Sequence, residues 1–278
     1  MKDSECVQFL QWALPHMHMR WPGFRKVRNQ VCKRLQQRIK LLQLEDLPNY
    51  RGYLDAHIEE WAELDKSCQI TISRFYRDKM VFTFVEEQVF PRLLHTIEQQ
   101  QESELRIWCA GSAAGEEAYT LSLIWALQMQ SHYPDIKLSI VGTEINPAMI
   151  IRAHRACYPE SAIKNLSPAW REVAFNNQND QFCLRPEYQS NIEFRCQDLR
   201  LEAPVTRDKK LFHLICCRNL AFTYFDTSQQ QEIVRRIHAN LENDGVLIVG
   251  VHEEIPPECT TFTICSKGMG IYLRTSPD

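Results

Sequence analysis

Hydrophobic positions recur at helical spacing through the first quarter of the chain. Val27, Val31, Leu35 and Ile39 return every four residues, and Tyr50, Tyr53, Leu54 and Ile58 continue a stripe of the same kind. No strand-like run breaks residues 1–66, so residues 1–70 are expected to form a small all-helical N-terminal domain, with a connecting segment near 65–72. Residues 81–99 predict a further amphipathic helix, bent or restarted at Pro91, whose ring nitrogen carries no N–H.

Beyond residue 100, apolar runs and amphipathic stretches alternate. Strands are expected at 105–110, 137–145, 191–196, 211–217 and 245–251, and helices at 116–128, 147–156 and 228–241. Residues 157–189 are irregular, with strand character at 181–184. The end, "TFTICSKGMGIYLRT", reads as a β-hairpin whose turn holds Lys267 and Gly268. Strand–helix alternation with short connections implies an α/β domain over 71–278, its mostly parallel sheet covered on both faces.

The composition, 44% hydrophobic and 24% charged, suits a chain with a real core. The longest apolar runs, such as 246–251, are strand-sized, so no membrane insertion is expected. The N-terminus lacks the basic-then-apolar order of a signal peptide. The eleven cysteines are odd in number and include no CxxC, so disulfides are not expected; several, including Cys109, Cys216 and Cys217, read as small core residues, and the compartment expected is reducing and cytoplasmic. Without a spaced Cys/His cluster, no metal is expected.

The net charge of −3 conceals an asymmetry. No acid occurs between Glu5 and Glu45, while Arg20, Arg25, Lys26, Arg28, Lys33, Arg34, Arg38 and Lys40 crowd the same stretch. Segment 20–40 therefore predicts a surface for an acidic partner. Nucleic acid is not expected, because aromatic interleaving is sparse and the whole chain is slightly acidic.

In an open parallel sheet, ligands bind beyond the carboxyl ends of the strands. There "CAGSAAGEE" places Gly111 and Gly115, which let backbone approach a ligand, ahead of Glu116 and Glu117. The next strand ends in Glu144, suited to a ribose hydroxyl pair, and the one after it in Asp198, suited to an adenine amino group. Each acid also has an ordinary reading: Glu116 and Glu117 at a helix N-terminus, Glu144 as a cap for the helix at Pro147, Asp198 in a turn. Together they describe a pocket for adenosine joined to a cation. No Lys follows the glycines to cradle phosphate, so S-adenosylmethionine fits better than a nucleotide.

"TISRFYRD", "CAGSAAGEEAYTLS", "GTEI", "QDL" and "ICCRNLAFTYFD", followed by "DGVLIVGVHE", occur in order. The set resembles the CheR-type protein-glutamate O-methyltransferases that methylate chemoreceptors, from about Arg25 to the C-terminus. The resemblance implies a Rossmann-like class I S-adenosylmethionine-dependent methyltransferase domain, its sheet ending in the antiparallel hairpin, behind the helical domain. It also implies a small β-subdomain within 157–190. By position, Arg77 would approach the methionine carboxylate, with Ser73 and Thr71 beside it, and Glu116 and Glu117 would help receive the cofactor. Glu144 would take the ribose, Asp198 and Leu199 the adenine, Arg218 and Asn219 the pocket wall, and Tyr224 the neighbourhood of the transferred methyl.

Arg92 is the candidate cation for orienting the acceptor carboxylate; a solvated arginine is the plain alternative. The implied substrate is a chemoreceptor-like acidic helical protein docked on segment 20–40, and the implied products are a glutamate methyl ester and S-adenosylhomocysteine. Two departures stand out: "TISRFYR" lacks the family's Asn, and His213 replaces the acid before "CCRN". Another acceptor protein, a small carboxylate, or a non-catalytic cofactor-binding regulator would share these residues. The Asn/Asp-Pro-Pro-Tyr/Phe segment of a nucleic-acid methyltransferase is missing.

Overall fold

The computed structural model describes residues 1–206, 208–266 and 268–275. These form two compact units, Met1–Ile70 with Thr223–Gln230, and Thr71–Phe222 with Gln231–Asp278.

The first unit is helical: Asp3–His16, Trp21–Phe24, Arg28–Leu41, Leu47–Ala56 and Glu60–Cys68. Val31, Leu35 and Ile39 are buried as their spacing predicts, against a core that includes Leu10, Leu14, Tyr50 and Leu54. The second stripe stops short. The helix ends at Ala56, which leaves Ile58 83% exposed. Two of the basic residues, Arg34 and Arg38, turn inward to partners. Arg38 donates from Nε and Nη2 to Glu60 at 2.9 and 2.6 Å, and Tyr50 donates to the same carboxylate at 2.8 Å. Arg34 donates to the carbonyls of Ser67 and Gln69, and Arg28 pairs with Asp3.

In the second unit the strands are β1 (Glu104–Ala110), β2 (Lys137–Glu144), β3 (Cys157–Tyr158), β4 (Phe175–Gln178) and β5 (Gln181–Leu184). They continue with β6 (Ile192–Cys196), β7 (Phe212–Cys217), β8 (Leu241–Val249), β9 (Phe262–Ser266) and β10 (Ile271–Arg274). The main sheet runs β6-β2-β1-β7-β8-β10-β9. Its first five strands are parallel; β10 is antiparallel to β8, and β9 to β10. This is the expected α/β sheet with its closing hairpin. Lys267, assigned to the hairpin turn, lies outside the described residues. The central strands read as unbroken apolar runs because both faces are covered; Leu105, Ile107, Trp108 and Cys109 are fully buried.

The helix around Pro91 is not restarted. Lys79–Phe84, a π turn at Val85–Val89 and Phe90–Gln99 follow without a gap. The wider turn falls just before the proline, where a missing N–H and the ring's bulk disturb α-helical bonding. Residues 157–189, irregular by periodicity apart from 181–184, hold a separate antiparallel sheet of β3, β5 and β4, within the bounds that the resemblance gave for a small β-subdomain. Periodicity cannot find a two-residue strand, which exists only through its partner.

The expectation of free thiols throughout is also corrected. Cys6 is bonded to Cys32, joining two helices, and Cys157 to Cys183, which face each other across β3 and β5. Spacing alone could not bring either pair together. Cys109, Cys216 and Cys217 are buried free thiols, as their strand positions imply.

Candidate cofactor site

The carboxyl ends of β1, β2 and β7 converge on the segment 111–115. Gly111 and Gly115 adopt φ of +74° and +90°, and Ala113 joins them at +47°. A Cβ at Gly111 would stand 2.3 Å from Leu220 Cδ2, a side-chain tip that can move aside, so it is the positive φ that calls for glycine there. Gly111 and Ser112 both donate their N–H to the Thr143 carbonyl, at 2.8 and 2.9 Å, which pins the turn to the end of β2.

Glu144, one residue on, is buried, and its carboxylate spans the two segments. Oε2 accepts from Ala113 N–H and Oε1 from Asn146 N–H, each at 3.0 Å. Burial pushes its pKa up, opposed by these N–H groups. Each oxygen keeps a further lone pair for a ligand hydroxyl. Asn146, not Glu144, caps the following helix by accepting from Ala148 N–H. Glu116, at the helix N-terminus, is 4% exposed; burial raises its pKa, with its own backbone N–H and the Ser73 hydroxyl among the opposing groups. Thr71, like Ser73, is half-buried in the segment that opens this unit.

A second cluster closes the other side. Arg218 donates from Nη1 to Glu117 at 2.9 Å, and from Nη2 to Asp78 at 2.7 Å and the Arg77 carbonyl at 3.0 Å. Its guanidinium lies 5.0 Å from the Phe82 ring centroid. Burial works against its charge, but Glu117 and the other acids hold its pKa above the usual value. Arg77 donates to the Ile72 carbonyl and to Asn219 Oδ1, both at 2.9 Å. The predicted Arg77, Glu117, Arg218 and Asn219 are thus one hydrogen-bonded group.

Asp198 and Leu199 follow β6. Both Asp198 oxygens are taken by Arg200, whose Nη2 lies 2.8 Å from Oδ2, and Oδ1 also accepts the Arg200 N–H at 2.8 Å. Leu199 is buried, and its carbonyl accepts from Arg236. Tyr224 belongs to the helical unit, where its ring packs 5.0 Å from Phe24.

Arg92 is a correction. Its Nη2 stands 3.9 Å from Asp244, in the first half of β8, whereas the glycine turn faces the carboxyl ends. Five residues of strand separate Asp244 from Val249, on the order of 16 Å. Helical periodicity shows which face of a helix is apolar, not which end of the sheet it passes. Arg92 takes no part in this site.

Among the described residues, Glu102, His213 and Glu242 have the composition of a metal site. Arg106 already stands among them, donating to Glu102 and to Glu242 at 3.0 Å, with its Nη2 3.1 Å from His213 Nε2. The group is an ion network around a buried arginine. His213, replacing the family's acid, accepts the Arg106 N–H at Nδ1 at 3.0 Å.

Several buried atoms make no hydrogen bond among the described residues: Ser112 Oγ, Glu116 Oε2, Gln197 Oε1 and Arg218 Nε among them. Two lie in the glycine turn and at the helix it opens. Acceptors of this kind fit a ligand carrying hydroxyls and positive charge, so the donor set suits S-adenosylmethionine. Glu253 is a residue the sequence reading missed: it is 5% exposed and binds two backbone N–H groups beside Arg218 and Asn219. The only sequence signal was an acid shortly after the strand "GVLIVG".

Residues 71–271 match the family model "CheR methyltransferase, SAM binding domain". A chemotaxis protein methyltransferase of Borreliella burgdorferi is 27% identical over 229 residues, covering 81% of this chain and 80% of that protein. One from Listeria monocytogenes is 31% identical over 186 residues, 67% of this chain and 66% of its own length. An uncharacterized 104.1 kDa protein of Rhodobacter capsulatus is 29% identical over 249 residues, 89% of this chain. The chain spans only 25% of that relative.

Proposed function

The chain belongs to the CheR methyltransferases, and from that premise we propose that it transfers the methyl group of S-adenosylmethionine to glutamate carboxylates of a chemoreceptor-like protein. The observation that carries this reading is the glycine turn held between the Glu144 carboxylate and the Arg77–Asn219–Arg218 group, with buried acceptors left open beside it. Bound S-adenosylmethionine supplies an electrophilic methyl group. Glu144 binds ribose hydroxyls, Glu116 faces the cationic end, and Arg77 meets the terminal carboxylate. Asp198 and Leu199 border the adenine. With Arg200 on the carboxylate, Asp198 acts there by holding the turn.

The acceptor is ionised near neutral pH, since a glutamate pKa lies at about 4.3. The chain therefore has no proton to remove, and its residues serve to orient the reactants and exclude water. Tyr224 is given the orienting part on family resemblance, and the domain division near residue 70 belongs to the same reading. We assign the acidic helical substrate to the exposed lysines Lys26, Lys33 and Lys40, because Arg28, Arg34 and Arg38 are engaged within their own unit. The site of action proposed is the cytoplasm, where both cysteine pairs would face a reducing pool.

The test is incubation with methyl-labelled S-adenosylmethionine and a lysate containing receptors, followed by assay of labelled methanol released by alkali. Base-labile label in a receptor-sized band, lost with Arg77→Ala, is expected. Label that survives alkali would reject the glutamate ester, and no label at all would reject methyl transfer.

A further inference from the structure

Glu253 is buried in the turn after β8, yet no feature of the fold at that turn calls for a carboxylate. Its Oε2 accepts from Asn219 N–H at 2.6 Å and from Gly250 N–H at 2.7 Å, while its own N–H donates to the Gly250 carbonyl at 2.8 Å. One oxygen thus ties the loop after β7 to the loop after β8. Asn219 sits at φ +57°, a left-handed conformation that asparagine tolerates better than most side-chain-bearing residues, and the Glu253 carboxylate holds its N–H there. Its side-chain oxygen in turn accepts from Arg77. The contact is close-fitting: a Cβ at Gly250 would lie 2.8 Å from Glu253 Oε2 and 3.2 Å from the Asn219 backbone nitrogen.

We infer that Glu253 is a positioning residue for the cofactor: it fixes the Asn219 backbone so that Asn219 Oδ1 holds Arg77 in place. The inference rests on the proposed methyltransferase reading. It places a determinant of cofactor affinity beyond the motif residues, in a side chain that need not touch the ligand. Both donors to Oε2 are neutral backbone amides, and an amide oxygen of equal length can accept from them.

Calorimetric titration with S-adenosylhomocysteine, alongside thermal unfolding, tests it. Glu253→Ala is expected to weaken binding by about tenfold or more, the effect of losing two hydrogen bonds that set a ligand group. Glu253→Gln should stay within about threefold of the parent. Gly250→Ala keeps the carboxylate but crowds the same bonds, so it should weaken binding like Glu253→Ala; it carries the test if Glu253→Ala does not fold. Leu10→Ala, buried in the helical unit, should lower Tm without changing affinity. Unchanged affinity in Glu253→Ala and Gly250→Ala overturns the inference, as does a Gln variant as weak as the Ala one. If the parent chain itself fails to bind S-adenosylhomocysteine, the functional reading falls first.

Discussion

His213 occupies the buried end of β7, with burial and then the Arg106 charge depressing its pKa from 6.5 to about 4. In the unfolded chain the imidazole binds a proton near 6.5; in the folded chain it stays neutral until about 4. The unfolded state therefore holds more protons across this window, and stability must fall as pH drops through it, by on the order of 2–3 kcal/mol. His213→Gln is expected to flatten that stretch of a urea-derived stability curve; an unaltered slope would show that other groups set it. Arg38 makes the opposite case. Burial favours protonated Glu60, but Arg38 and Tyr50 outweigh it and hold the acid below its usual pKa. Arg38→Ala leaves that carboxylate buried, at an expected cost of about 2–3 kcal/mol in chemical unfolding, whereas exposed Lys40→Ala should stay within about 0.5. An equal effect of the two would mean that Arg38 is no more structural than Lys40. The periodicity that revealed a basic stretch could not separate these roles, because partners at Asp3, Ser67 and Glu60 come from other helices.

At the level of elements, the glycine turn shows why a motif works. Gly111→Ala forces a side chain onto a positive φ and displaces the Leu220 side-chain tip, so weakened S-adenosylhomocysteine binding and a destabilisation of about 1–2 kcal/mol are expected. Retained affinity in titration would show that the turn can yield. The two cysteine bonds each join residues 26 apart in sequence. Chain-entropy reasoning assigns each about 3 kcal/mol, so dithiothreitol should lower the stability of oxidised protein accordingly, and identical unfolding curves would mean that the pairs do not cross-link the chain. The strands of the main sheet were legible from apolar runs, and the helices between them from amphipathic spacing. Of the β3-β5-β4 sheet only β5 was, because strands of two and four residues carry too little pattern and β3 and β4 are defined by their pairing with it.

For the molecule as a whole, the net charge of −3 says little about segment 20–40, which carries eight Lys and Arg residues and no acid. If the free lysines steer an acidic helical substrate, Lys33→Glu with Lys40→Glu should reduce methylation several-fold at low salt. The difference should shrink at ionic strengths where the Debye length falls to about 8 Å or less. A salt-independent defect, or none, would move docking elsewhere. By itself, the sequence determined the α/β order, the glycine turn and the acids at strand ends, because these follow from local spacing and from backbone conformations only certain residues tolerate. The tertiary structure decided which charges are spent. It turned Arg34 and Arg38 inward, took Arg92 to the far end of the sheet, gave Asp198 to Arg200 and put Glu253 under Asn219. Those outcomes depend on which side chains meet across distant segments, and a linear pattern of polar and apolar residues does not encode such meetings residue by residue.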